Sequence, residues 1–263
     1  KKEIEKRLKK LIRYSNPDLE RKTLFIWPEG VFSGYSFDEL KIFSKLLENN
    51  FSDKHLIIFG ANKIEKKTGN FFNSMFLINN NFEVMQSYDK LKLVPFGEFL
   101  PLEKILNNFG LKKITEGYGS FLKGKNNSLI SIKNLNILPL ICYEIIFTEL
   151  IQKSKADSNL IINISEDAWF GKTIGPDQHF VKSIFRAIEN NTFLLRSANQ
   201  GVSAIIDNKG NVIKELNRNE AGNIELEVPL INSKKNKNDL IFFILLSTYL
   251  LIFFIYKKKN EKK

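Results

Sequence analysis

Three residues that could carry out covalent chemistry stand at or near the ends of apolar stretches. Glu29 follows LFIWP, Cys142 follows ILPLI, and Lys90 lies within QSYDKLKLVPFGEFLP, after a less regular stretch. Another apolar run, LIINI, is followed by the polar segment 165–167. In open α/β sheets, functional side chains converge at the ends of strands. The sequence therefore predicts that these residues meet at one site.

These residue types fit nucleophilic catalysis by a thiol. A cysteine becomes a good nucleophile when it loses its proton, and a neighbouring carboxylate can take that proton. A nearby lysine holds an oxyanion and favours the thiolate. Each residue also has a structural interpretation: Cys142 as a small buried hydrophobe, Glu29 as a helix cap and Lys90 as an exposed lysine. The residue types alone leave both interpretations open.

The two histidines, His55 and His179, show no spacing with acidic residues that indicates a metal site. Structural roles are therefore favoured for both, while a dyad of Cys142 with His179 stays open as an alternative. The single cysteine excludes a disulfide within the chain and a Cys-rich zinc site.

The elements that must position these residues indicate an α/β or layered α+β fold, because short apolar β-type runs alternate with helical patterns. Residues 1–14 are predicted to form a basic amphipathic helix with an apolar stripe. Predicted strands lie at 23–27, 55–60, 71–78, 135–141, 159–164, 193–197 and 202–206. Predicted helices lie at 36–48, 143–153 and 180–190.

The net charge of +11 is concentrated at the two ends of the 263-residue chain. Residues 1–22 carry nine positive and four negative side chains, and residues 231–263 carry eight and two. The body between them, residues 23–230, carries 23 of each sign. A neutral body with basic ends is a poor footprint for nucleic acid, so no nucleic-acid partner is expected.

The C-terminal region predicts an anchored protein. Residues 240–256, LIFFILLSTYLLIFFIY, contain no charge and are flanked by lysines on both sides. At about 1.5 Å per residue they reach roughly 25 Å, enough for a short transmembrane helix. Residues 231–239 form a polar linker before it, and residues 257–263 form a basic tail. More lysines follow the helix than precede it, which favours a cytoplasmic tail and a catalytic body on the other side.

Five segments carry a family resemblance. They are IWPEG at 26–30, YDKLKLVPFGEFLP at 88–101, ICYEII at 141–146, ISEDAWFGKTIGPDQHF at 164–180 and LLRSANQGVSAIID at 194–207. Together they resemble the nitrilase (carbon-nitrogen hydrolase) superfamily and, more closely, its membrane-bound apolipoprotein N-acyltransferase branch. The resemblance extends over residues 22–256, terminal helix included.

The resemblance implies an α-β-β-α sandwich followed by one transmembrane helix. It implies that Glu29 is the general base, Lys90 the oxyanion-stabilising residue and Cys142 the nucleophile, with Glu98 and Glu144 supporting them. No metal or organic cofactor is expected.

The same resemblance implies the substrates and the location. The acyl donor would be a membrane phospholipid, and the acceptor would be the N-terminal amine of a diacylglyceryl-apolipoprotein. The chain would act as a monomer in the bacterial inner membrane, with its catalytic domain, residues 23–230, in the periplasm.

Two departures from the family pattern stand out. The family has an N-terminal bundle of membrane helices and a first strand before WPE, and neither occurs here, so we expect a fragment of a longer protein. Glu166 stands where the family usually has Asn. Alternative functions are a membrane-anchored amidase of the same superfamily and an inactive, membrane-tethered binding module.

Overall fold

The computed structural model describes residues 2–102, 120–126, 128–154, 158–232 and 239–260. It divides into two compact units, Lys1–Ser233 and Lys234–Lys263. Residues 233–238 of the predicted linker and 261–263 of the predicted tail lie outside the described residues. The domain boundaries inferred from the sequence stay predictions.

The first unit contains two β-sheets. The four-stranded sheet has the order β1-β2-β3-β4, and the six-stranded sheet has the order β10-β9-β8-β7-β6-β5. The strands are β1 (Thr23–Ile26), β2 (His55–Ile64), β3 (Phe71–Asn79), β4 (Val84–Asp89), β5 (Ile130–Ile132), β6 (Leu135–Ile141), β7 (Leu160–Glu166), β8 (Leu194–Asn199), β9 (Ser203–Ile206) and β10 (Val212–Leu216). Strands β6, β7 and β8 pair in parallel, as do β1 and β2.

The helices of this unit are α1 (Lys2–Ser15), α2 (Phe37–Leu40), α3 (Ser44–Glu48), α4 (Thr148–Ser154) and α5 (Gly175–Asn190). Among the described residues, 3₁₀ turns lie at Lys41–Phe43, Cys142–Ile146 and Asp167–Phe170. Helix α1 buries the stripe formed by Ile4, Leu8 and Ile12, which confirms its predicted amphipathic character.

The first sheet is buried on both faces. Successive residues of a strand point to opposite sides of the sheet, so neighbouring residues of β2 contribute to different cores. Ile57 and Phe59 pack with the stripe of α1 and an aromatic cluster, whereas Ile58 packs with Ile137 and Ile162 of the second sheet. Helix α5 lies against that second sheet, with Ala187 in the shared core. The result is the layered α+β nitrilase sandwich expected from the resemblance.

All seven predicted strands are present, with shifts of a few residues at their ends. Strands β4, β5 and β10 were not separately predicted, because their sequences lack a strong apolar run. The helix predicted at 36–48 is interrupted by the 3₁₀ turn Lys41–Phe43. The helix predicted at 143–153 is instead a 3₁₀ turn followed by α4, because Phe147 between them has an extended backbone.

The second unit contains helix α6 (Asp239–Asn260). Within the described part of the chain, one helix is long and apolar enough to cross a membrane, Leu240–Asn260, with a mean hydropathy of 2.2. Its apolar window is wholly exposed. At about 1.5 Å per residue the helix is long enough for the roughly 30 Å of a hydrocarbon core.

Candidate active site

The structure brings Glu29, Lys90 and Cys142 together between the two sheets. Glu29 lies in the turn after β1, Lys90 directly follows β4, and Cys142 directly follows β6. All three side chains are buried. The Lys90 Nζ lies 3.7 Å from Oε1 of Glu29, and the charges of both residues act on the Cys142 thiol.

Lys90 is held by two carboxylates. Its Nζ donates to Oε1 of Glu98 at 2.9 Å, and its side chain is only 1% exposed. Burial by itself lowers the pKa of Lys90, but the negative charges of Glu98 and Glu29 outweigh it and raise the pKa above its ordinary value. Lys90 is therefore a permanent cation inside the site, and the exposed-lysine interpretation is wrong.

Asn73 joins the two carboxylates and was not identified from the sequence. Its Nδ2 donates to Oε1 of Glu29 and to Oε1 of Glu98, each at 2.7 Å. The second oxygen of Glu29 accepts from the backbone N–H of Glu166 at 3.0 Å. Both oxygens of Glu29 are thus fixed in direction. The sequence feature that could have identified Asn73 is its place as a polar residue inside the apolar run FFNSMF, because a buried amide needs hydrogen-bond partners.

Cys142 occupies a strained position. Its φ is +49°, in the left-handed region that non-glycine residues adopt only where the surroundings impose it. Burial raises the pKa of the Cys142 thiol to about 12, helped by the charge of Glu29 and opposed by Lys90 and Ser165. The resting residue is therefore a protonated thiol.

Glu144 connects the segment around Cys142 with the segment around Lys90. Its Oε1 accepts from the Tyr88 hydroxyl at 2.9 Å and from the N–H groups of Leu91 and Lys92 at 2.7 and 3.0 Å. Its Oε2 accepts from the N–H of Ile141 at 2.9 Å. Burial raises the pKa of Glu144 to about 7, although the donors and Lys90 act in the opposite direction.

His179 lies behind Cys142 and contacts its backbone. The His179 Nε2 is 3.1 Å from the carbonyl oxygen of Cys142, and Nδ1 is 3.0 Å from Oδ1 of Asp167. This geometry gives no support to a Cys-His dyad. His55 is also buried, where Nδ1 accepts from the N–H of Ser52 and Nε2 meets the carbonyl of Asp18.

Asp167 is the centre of a buried polar network. The sequence predicted its place in the polar segment after a strand, but not its partners. Its carboxylate accepts from the Ser165 hydroxyl at 2.6 Å and from Nη2 of Arg196 at 2.7 Å. Arg196 in turn donates to the side chain of Asn163. Burial raises the pKa of Asp167, but the hydrogen bond with His179 and the charge of Arg196 outweigh it and lower the pKa to about 2.

Glu166 lies at the edge of the cluster, directly over Gly30. Gly30 has a φ of +80°, and a Cβ there would collide with the Glu166 carboxylate. That carboxylate accepts from Nδ2 of Asn199 at 2.6 Å. Burial raises the pKa of Glu166 to about 7 despite this bond, and the charges of Glu29 and Asp167 act in the same direction as burial.

A cavity of about 1150 Å³ lies beside this cluster, along the edge strand β1. It is lined by residues of α1, β1, β8 and β9 and by the segment 220–228, and it does not include Glu29, Lys90 or Cys142. Within the described residues, no group of three His, Cys, Asp or Glu side chains is placed to hold a metal ion.

Curated relatives are similar to most of this chain. An apolipoprotein N-acyltransferase of Rickettsia typhi is 39% identical over 216 residues, covering 80% of this chain and 42% of that protein. One from Rhizobium leguminosarum bv. trifolii is 35% identical over 210 residues, covering 78% of this chain and 39% of the relative. The chain thus spans about two fifths of the length of these relatives.

Solved structures share the fold at low identity. Saccharomyces cerevisiae Nit3, a member of branch 10 of the nitrilase superfamily, aligns with a TM-score of 0.60 at 18% identity, covering 83% of this chain and 82% of Nit3. The NitN amidase of Nesterenkonia sp. AN1 aligns with a TM-score of 0.57 at 19% identity, covering 82% and 84%. The carbon-nitrogen hydrolase family profile matches residues 5–234. With the sandwich fold and this match over most of its length, the chain belongs to the carbon-nitrogen hydrolase family.

Proposed function

We propose that the chain transfers a fatty acyl group from a membrane phospholipid to the N-terminal amine of a diacylglyceryl-apolipoprotein. The observation that carries the proposal is the buried thiol of Cys142 beside Lys90 and Glu29, in a chain whose curated relatives are apolipoprotein N-acyltransferases. The geometry supports the proposal because a thiol, a carboxylate and an ammonium group lie together, and acyl transfer through a covalent intermediate requires a nucleophile, a base and a cation.

In the first half-reaction, Glu29 takes the proton of the Cys142 thiol as sulfur attacks the ester carbonyl. Lys90 and a backbone N–H stabilise the negative charge on the tetrahedral oxygen. The C–O bond to glycerol then breaks, and the departing alcohol takes the proton back from Glu29. The products are a thioester on Cys142 and a lysophospholipid.

In the second half-reaction, the amine of the lipoprotein attacks the thioester. Glu29 takes a proton from the amine, the C–S bond breaks, and the proton returns to sulfur. The high pKa of the Cys142 thiol supports this sequence of steps. The thiol is protonated at the start of each cycle, so Glu29 must remove its proton each time. The two half-reactions share one site, so the proposal predicts ping-pong kinetics.

Glu98 and Glu144 have supporting roles in this proposal. Glu98 fixes the ammonium of Lys90, and its other oxygen accepts from the N–H of Val94 at 2.8 Å. Glu144 holds the backbone on both sides of the site. A Glu-to-Gln mutant of the amidase of Nesterenkonia sp. AN1 has been solved with the acetamide moiety of fluoroacetamide added covalently at its active-site cysteine, which is a precedent for a reactive cysteine in this fold.

The proposal places the chain in the bacterial inner membrane as a monomer, anchored by α6 and with the catalytic domain in the periplasm. The apolar span and the lysines on both sides of it support this placement. The excess of lysines after the span favours a cytoplasmic tail. A reporter cysteine at Lys262, which lies outside the described residues, tests this in a Cys142→Ser background. Labelling by an impermeant reagent from outside intact cells would contradict the orientation.

The chemical test uses the full chain in detergent micelles with a dipalmitoyl phospholipid as the only substrate. Mass spectrometry should show one palmitoyl group on Cys142, and a diacylglyceryl-cysteine peptide added afterwards should remove it. Absence of the adduct would overturn the proposed donor and leave the binding-module alternative. Loss of the acyl group to water, with hydrolysis of small amides, would indicate the amidase alternative.

Two variants assign the roles. Cys142→Ser should form no adduct, because a serine hydroxyl is a far weaker nucleophile at neutral pH. Glu29→Gln should block adduct formation, whereas Glu48→Gln, the same chemical change at an exposed position, should not. An adduct forming at the normal rate in Glu29→Gln would remove Glu29 from the role of base.

A further inference from the structure

We infer that His179 is a positioning residue whose hydrogen bond to the carbonyl oxygen of Cys142 fixes the Cys142–Tyr143 peptide, so that the Tyr143 N–H faces the reacting oxygen. The inference rests on the proposed covalent step at Cys142. It assigns to His179 a role in acylation that involves neither proton abstraction from sulfur nor contact with substrate.

The first observation is the rigidity of the contact. His179 is 4% exposed, and its ring is held between the Cys142 carbonyl at 3.1 Å and the Asp167 carboxylate at 3.0 Å. Asp167 is itself fixed by Ser165 and Arg196. A Cβ added at Gly201 would collide with the Asp167 carboxylate, so the packing behind this carboxylate is tight.

The second observation concerns the protons on the ring. The carbonyl oxygen of Cys142 can only accept a hydrogen bond, so the proton of the 3.1 Å contact lies on Nε2. Nδ1 faces both Oδ1 of Asp167 at 3.0 Å and Nη2 of Arg196 at 3.2 Å. His179 is therefore the donor toward Cys142.

The third observation is what the contact does to the peptide. The C=O and N–H of a trans peptide point to opposite sides of one rigid plane. A donor that holds the Cys142 carbonyl on the α5 side therefore turns the Tyr143 N–H to the opposite side. Tyr143 lies in the first turn of the 3₁₀ segment, where N–H groups have no intrahelical acceptor.

The test compares two reactions of Cys142. Acylation by p-nitrophenyl butyrate passes through a tetrahedral oxyanion, whereas alkylation by iodoacetamide displaces iodide and forms none. In His179→Leu the rate of acylation should fall by about 10²-fold, the usual effect of losing one oxyanion donor. Alkylation should change little. His179→Gln, which keeps an N–H donor at the end of its side chain, should restore most of the acylation rate.

Equal losses in both reactions would overturn the inference, because they would indicate a base or a general folding role. An unchanged rate in both reactions would also overturn the inference. Failure of the ester to acylate the wild-type chain would overturn it too. Acylation by the ester without acylation by phospholipid would contradict only the proposed donor, so the two failures are distinguishable.

A second measurement observes the ring of His179 directly. With ¹⁵N-labelled histidine, the chain gives signals from only His55 and His179. The signals that disappear in His179→Gln are those of His179, and in the wild type they should show a proton on Nε2. A ring without a proton on Nε2 would overturn the inference.

Discussion

Replacing Glu144 by Gln should loosen the connection between the two halves of the candidate site. The carboxylate accepts four hydrogen bonds, three on Oε1 and one on Oε2. A glutamine oxygen can take the place of Oε1 and keep the first three. The amide NH₂ then faces the Ile141 N–H, which is also a donor, at the position where Oε2 stood 2.9 Å away.

The expected destabilisation follows from these contacts. A buried donor left without an acceptor costs about 1–3 kcal/mol. The variant should therefore lower the free energy of unfolding by roughly 1–3 kcal/mol. For a domain of this size, each kcal/mol shifts Tm by about 2–4 °C, so Tm should fall by roughly 2–12 °C.

Tyr88→Phe is the matched control. It removes one donor and leaves Glu144 with the three backbone N–H groups, so the loss should be only about 1 kcal/mol. Thermal unfolding of the full chain in detergent, with wild type and both variants side by side, gives the two shifts. Acylation of Cys142 should also be slower in Glu144→Gln, because the backbone at Ile141 and Leu91 is no longer held.

The pH dependence has a defined sign. Burial raises the pKa of Glu144 to about 7 in the folded protein, above its ordinary value of 4.5. The carboxyl therefore contributes its full stability below pH 4.5, and this contribution is lost as the pH rises through 7. The Tm gap between wild type and Glu144→Gln should shrink over this range. Equal melting of Glu144→Gln and wild type at pH 5 would refute the reasoning.

Three further outcomes are expected. Lys90→Met should abolish acylation. It also leaves two buried carboxylates without their cation, so it should lower Tm more at pH 8 than at pH 5, and an equal decrease in Tm at both pH values would contradict this. Burial raises the pKa of Glu166 to about 7, so the wild type loses stability as the pH rises through 7 and this carboxyl ionises. Glu166→Gln should therefore become more stable relative to wild type over this range, and a Tm difference that does not change with pH would contradict this. Leu246→Lys places a charge in α6 at a cost of about 3 kcal/mol, so alkaline extraction should release more of the variant from membranes; unchanged retention would argue against a spanning helix.

The positions of Glu29 and Cys142 at strand ends were predictable from sequence because the signal is local. Apolar β-rich runs specify the strands, and the residue that follows each run must lie at a strand end. The same holds for the stripe of α1 and for the apolar span of α6, whose patterns lie within one helix. The family resemblance added the roles expected of Lys90, Glu98 and Glu144.

The partners of these residues were decided by the tertiary structure. Asn73 meets Glu29 from 44 residues away, and Tyr88 meets Glu144 from 56 residues away. Polar residues inside apolar runs, such as Asn163 and Arg196, indicated that buried partners exist but could not identify them.

The left-handed backbone of Cys142 and the burial of Lys90 are likewise products of packing. A cysteine has no local preference for a φ of +49°, and a lysine has none for a dry interior. Both persist because two sheets that are distant in sequence place opposite charges and fixed donors around them. Local patterns determine which elements form, whereas the energy of a buried charge depends on neighbours that only the folded chain brings within hydrogen-bond distance.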